Sequence, residues 1–275
     1  MIMTFSEKYK QGILSKDLFL KSEVTEGFVE WLLPYVTGQE SLKSINKDFS
    51  FDCLDTAADK YEWKKDMGYK SSYQIFLEFK IRLDNATKNE DALKICEEIV
   101  KWGGINNYGR LSAIGDVLYF LNHMKEKLIS DEICIYDLNP NYINSGFTKV
   151  YAAYIDGFTM YDGRVGAALC SLIGHYLLKN NSTEIPDELL FGWSWGMGKV
   201  DTRKNRNPNL KEFNFEPFPE ITDRTRELHF TSNIRANWLL HSIAEKIKIL
   251  NIESFDEKVF ALQSALFMLG ADIPK

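Results

Sequence analysis

The chain has 275 residues, 45% hydrophobic and 26% charged, which is enough to bury a sizeable core and argues against disorder. No uncharged apolar stretch reaches bilayer-spanning length, and the N-terminal residues carry Glu7, Lys8 and Lys10 without an apolar run. Neither a membrane span nor a secretory signal is expected, and the chain reads as cytoplasmic. A net charge of −6 weighs against a nucleic-acid binder that relies on bulk positive charge, but not against one with a local basic face.

In chain order, Phe28, Trp31, Leu32 and Tyr35 recur at helical spacing, with Thr25 as the expected cap. Tyr73, Phe76, Leu77 and Phe79 suggest a second helix. Ala92, Ile95, Cys96, Ile99 and Val100 form an apolar stripe that should stop at Trp102-Gly103-Gly104. A long helix is expected over 111–128, then an irregular stretch with a very short strand near 133–136 and a turn at Asn139-Pro140-Asn141. Two helices are predicted over 149–155 and 162–178, the second strongly amphipathic through Val165, Ala168, Leu169, Leu172, Ile173, Tyr176 and Leu177. Residues 191–222 read as a long loop, a length that is usually functional or mobile. Helices over 234–250 and 255–269, the latter capped by Ser254, close the chain. The expectation is an all-α, compact multi-helix domain covering 1–275, with an N-terminal subdomain ending near residue 85 as the alternative division.

Cys53, Cys96, Cys134 and Cys170 are scattered and read as small buried hydrophobes. His123, His175, His229 and His241 lack metal-ligand spacing, so no metal is expected, and no cofactor is implied.

The chemically informative stretch holds Gly146-Phe147-Thr148-Lys149-Val150 and Tyr161-Asp162-Gly163-Arg164-Val165. Lys149 and Asp162 each stand at a predicted helix start. A short helix and a turn at Asp156-Gly157 would bring both to one end of a helix pair. A lysine in a first turn meets the positive end of the helix dipole, which favours the neutral, nucleophilic amine. A carboxylate nearby can face positive charge developing at a sugar C1′. The bland alternatives are a surface lysine and a simple N-cap aspartate.

These segments resemble the catalytic-lysine and aspartate segments of helix-hairpin-helix DNA glycosylases of the 8-oxoguanine type. The resemblance is closer to a bacterial group of presumptive 8-oxoguanine DNA glycosylase-like proteins. There a Trp-Gly-Gly segment, a lysine segment, a Tyr-Asp-x-Arg-Val segment and an Arg-Asn-Pro turn (here Arg206-Asn207-Pro208) follow in this order. The likeness spans roughly residues 90–245. It implies a helical base-excision enzyme with DNA as partner, Lys149 as Schiff-base nucleophile and Asp162 as catalytic carboxylate. Two departures stand out: Phe147 occupies the place of the hairpin's second glycine, and the Lys-to-Asp spacing is short.

Around this pair, Trp102, Gly146 and Arg164 are candidate substrate or DNA contacts. So are Trp193, Trp195, Lys199, Arg203, Lys204 and Arg206 of the 191–222 loop, which combines aromatic faces with positive charge. The bland reading of that loop is a solvated basic segment with tryptophans plugging the core. Gly192-Trp193-Ser194-Trp195-Gly196 matches G-x-S-x-G but lacks the strand a nucleophile elbow needs. The main rival function is a non-catalytic glycosylase-like DNA-binding or interaction module, working with an operon-encoded partner in bacterial anti-phage defence or nucleotide modification. A second rival is an enzyme cleaving free nucleosides or nucleotides.

Overall fold

The computed structural model describes residues 3–64, 66–105, 109–139, 142, 144–195, 204–218 and 222–275. About 59% of the chain is helical, and one two-stranded antiparallel sheet is its only sheet among the described residues. None of these helices is long and apolar enough to cross a membrane.

Helix α1 (Phe5–Lys10) leads into strand β1 (Ile13–Ser15), α2 (Lys16–Leu20) and α3 (Glu23–Thr37). The α3 cap is Ser22, whose side chain accepts from Thr25 N–H at 3.1 Å, so Thr25 lies inside the first turn rather than capping it. Next come α4 (Leu54–Asp59), α5 (Tyr69–Asp84) and α6 (Asn89–Trp102). The stripe expected on α6 is buried throughout, and Gly104 adopts φ +78° just past its end, a conformation that favours glycine.

The long helix expected over 111–128 is split. Short α7 (Gly109–Ser112) ends before Gly115, and Asp116 caps α8 (Val117–Leu128) by accepting from Tyr119 N–H at 2.9 Å. Strand β2 (Glu132–Cys134) then pairs with β1 in the register Ile13–Cys134, Leu14–Ile133 and Ser15–Glu132. Helix α9 (Phe147–Tyr154) and α10 (Gly163–Lys179) fall close to expectation. Helix α11 (Asp223–Lys246) starts well before residue 234, and α12 (Phe255–Leu269) ends the fold with Ser254 as its cap.

Helix α12 is buried almost all round and packs against α4, α5, α10 and α11. A single apolar core runs from Phe5 to Ile273, and α2 and α3 pack on α11. The elements before residue 85 contribute to this same core. All four cysteines are free; Cys53, Cys96 and Cys170 are buried and Cys134 is half-buried.

Small residues let the start of α10 sit in a tight sandwich. A Cβ on Gly163 would lie 2.4 Å from Ser194 O, one on Gly166 2.4 Å from Gly192 O, and one on Gly270 1.8 Å from Arg164 O. The 192–195 segment and the end of α12 thus clamp the turn that carries Asp162.

Candidate functional site

Lys149 is the third residue of α9, and its side chain runs back toward the helix start, as helical side chains do. Its Nζ donates to Ser145 O at 2.7 Å. The residue is only 6% exposed, so it is not the surface lysine of the bland reading. Among the described residues no carboxylate stands within ion-pair distance of Nζ. Burial pushes its pKa below the ordinary lysine value, partly offset by the Asp162 carboxylate.

Asp162 is the N-cap of α10. Its Oδ1 accepts from Arg164 N–H at 2.9 Å and Val165 N–H at 3.2 Å, which fixes the carboxylate at the positive end of the helix. The capping role and a chemical role are not exclusive, because Asp162 is half-buried and lines the same recess as Lys149. The other walls are mostly aromatic and apolar: Tyr61, Trp63, Trp102, Met160 and Phe267, with Gln263 beside them. Gln263 Oε1 accepts from Met160 N–H at 2.6 Å, so its amide N–H groups are what it can offer a ligand.

A buried polar clamp holds the two helix starts at their separation. The Thr148 hydroxyl lies 2.8 Å from Asn233 Oδ1 and 3.2 Å from Thr159 O, and it accepts from Tyr161 N–H at 3.0 Å. Asn233 Nδ2 donates to Thr159 O at 2.9 Å, and Thr159 N–H donates to Asn237 Oδ1 at 2.9 Å. His229, stacked on Phe218, donates from Nε2 to Tyr161 O at 3.0 Å. Burial lowers its pKa to about 4, so it is a neutral structural imidazole at pH 7.

No family model, curated protein or solved structure matches the chain.

Trp102 is buried on the recess wall, its ring 5.9 Å from that of Trp63, whose Nε1 donates to Trp102 O at 2.9 Å. Arg164 is half-buried with its guanidinium 4.4 Å above the Phe267 ring. Burial and the nearby Arg206 lower its pKa, with Asp162 opposing, so positive charge accumulates at this rim. Arg206 is anchored by a 2.6 Å bond from Nη1 to Trp195 O, and Trp195 is 36% exposed. Lys204 is exposed. Lys199 and Arg203 lie outside the described residues.

Two expected contacts are corrected. Trp193 is 2% exposed and its Nε1 donates to Phe215 O at 2.9 Å, so it is a core plug unable to meet a ligand. Gly146 is right-handed (φ −81°), and its N–H donates to Asn144 Oδ1 at 2.8 Å, leaving that amide engaged rather than free for a phosphate. Phe147 is buried against Phe120 and Tyr142, anchoring α9 to its surroundings. The G-x-S-x-G serine, Ser194, follows an isolated bridge at Trp193 and not the strand that a nucleophile elbow needs before it.

Sequence reasoning missed Tyr61, Trp63, Gln263 and Phe267. None carries a spacing signal with Lys149. Gln263 and Ser264, interrupting the otherwise apolar run Val259–Leu269, were the one available hint.

Proposed function

We propose that this protein is a DNA base-excision enzyme of N-glycosylase/lyase type, with Lys149 as nucleophile and Asp162 as the stabilising carboxylate. One observation carries the reading: a buried lysine with no ion-pair partner among the described residues shares an aromatic-walled recess with a helix-capping aspartate. Keeping a lysine amine in such a place costs stability and makes it more nucleophilic, a combination typical of reactive rather than structural lysines.

In the proposed step the neutral Lys149 amine attacks C1′ of an extruded nucleotide. The C1′–N bond to the base breaks, and its electron pair leaves with the base nitrogen, which takes up a proton. The amine nitrogen loses its protons as C1′–O4′ opens and O4′ is protonated, leaving a C1′=N Schiff base. Asp162 faces the positive charge that grows at C1′. Base extrusion is required because C1′ is inaccessible in a stacked duplex. Arg164 at the rim, with Arg206 near it and Trp195 bonded to Arg206, suits a phosphate backbone and an unstacked base, and Lys204 adds an exposed positive charge two residues before Arg206. The recess has a cavity volume of about 30 Å3, where a single water needs about 10–15 Å3, so it holds two or three waters and takes a nucleobase only when its walls part.

The second reading, a non-catalytic glycosylase-like DNA-binding or interaction module, is favoured by that small volume and by the engaged Gly146 amide. Borohydride reduction in the presence of abasic or oxidised-purine oligonucleotides separates the two. A covalent adduct that disappears in Lys149→Ala supports the enzyme. Salt-dependent DNA affinity with no adduct supports the module.

A further inference from the structure

Gly103, the C-cap of α6, has φ −69°, a conformation open to any residue, so the backbone does not call for glycine there. The neighbouring side chain does. A Cβ on Gly103 would lie 2.3 Å from Lys149 Cδ and 2.6 Å from Lys149 Cε. An exposed lysine would swing aside at little cost. Lys149 is held more firmly: it is 6% exposed, aromatic walls bound its recess, and its amine is tied to Ser145 O, so its stem yields to a Cβ only by giving up that bond. Gly104 is different. Its φ of +78° favours glycine for backbone reasons, and its Cβ would meet only Trp63, at 3.5 Å from Cζ2.

We infer that Gly103 is a positioning residue for Lys149: the absent Cβ is the slot in which the methylene stem lies, and it sets where the amine stands relative to Asp162. The two adjacent glycines thus divide two tasks, one steric and one conformational. The consequence for chemistry rests on Lys149 being the nucleophile, but the steric coupling does not, and the test keeps them apart. The titratable groups around the amine are Asp162 at the start of α10, His229 from α11 and Tyr61 across the recess, with Arg164 just beyond.

The test compares Gly103→Ala with Gly104→Ala. The first readout is pH-dependent reductive methylation of Lys149 by formaldehyde and cyanoborohydride, followed by peptide mass spectrometry, which needs no DNA. Gly103→Ala should displace the amine, raising its titration midpoint toward that of exposed lysines, so that its labelling rate at neutral pH, relative to its own high-pH plateau, falls at least tenfold. Gly104→Ala, a strained-backbone control, should leave the midpoint in place. In borohydride trapping, Gly103→Ala should lose adduct at least tenfold while Gly104→Ala keeps it. Unchanged labelling in Gly103→Ala, or equal shifts in both variants, overturns the inference. If Gly103→Ala alone does not fold, Gly103→Ala with Lys149→Ala decides: removing the stem must restore folding, and failure to do so refutes the slot. A wild-type protein that forms no adduct counts against the nucleophile, while the labelling result still decides the slot.

Discussion

Replacing Lys149 by methionine should stabilise the protein. The methionine keeps an unbranched chain of similar length in the slot beside Gly103 and removes a buried charge that has no ion-pair partner among the described residues. Each unit by which the folded pKa lies below the unfolded one costs the protonated state about 1.4 kcal/mol. Against this, the bond to Ser145 O is lost, worth about 1 kcal/mol. The balance is a net gain at neutral pH, within the about 0.5–2 kcal/mol common for stabilising substitutions. For a chain of this size that corresponds to a Tm rise of up to about 8 °C. The pH dependence has a definite sign. Because the folded pKa is lowered, the unfolded chain binds more protons between that value and about 10.4, and wild-type stability rises with pH across the window. Lys149→Met lacks that rise, so the gap between the two proteins narrows from pH 7 to pH 9.5. Urea unfolding at both pH values measures it. A methionine variant less stable than wild type at pH 7 would show that the amine is a structural tie, and the reasoning would fail.

Asp162→Asn keeps the cap and loses the charge, so stability should change by less than about 1 kcal/mol, whereas Asp162→Ala also loses the cap and should cost about 1–2 kcal/mol; chemical denaturation separates them, and adduct formation should fall about a hundredfold in both. Thr148→Val strips the hydroxyl that joins Thr159, Tyr161 and Asn233 and should cost about 2 kcal/mol while loosening the spacing of Lys149 and Asp162, read as lower Tm together with reduced trapping. Arg235, fully buried, donates to the carbonyls of Thr231, Asp187, Glu188 and Leu190, so Arg235→Met should destabilise by about 3 kcal/mol or more in urea unfolding.

The helices with a clean apolar stripe were legible in the sequence: α6, α10 and α12 lie where the periodicity of Ala92–Val100, Val165–Leu177 and Phe255–Leu269 puts them. The start of α11 was not, because its first turns bury polar side chains, among them His229, Thr231, Ser232, Asn233 and Arg235, which break any apolar pattern. The break between α7 and α8 was hidden in a run of apolar residues, where Gly115 and the Asp116 cap outweigh Leu111 and Ile114. Lys149 and Asp162 were readable because each stands at a local helix start. Tyr61, Trp63, Gln263 and Phe267 reach the recess only through tertiary packing of α12 against α4, α5 and α10, which no spacing in the chain encodes. Trp193 misled for the opposite reason: an aromatic beside a basic run looks like a stacking platform, but here its indole N–H is satisfied inside the core.

The central claim is that one amine forms the covalent bond. Peptide mapping of the borohydride-reduced adduct between the wild-type protein and an abasic oligonucleotide tests it directly. The account predicts a single modified peptide with the deoxyribose remnant on Lys149. A remnant on another lysine or on the N-terminal amine, or no adduct at any pH between 6 and 9 despite DNA binding, would contradict it.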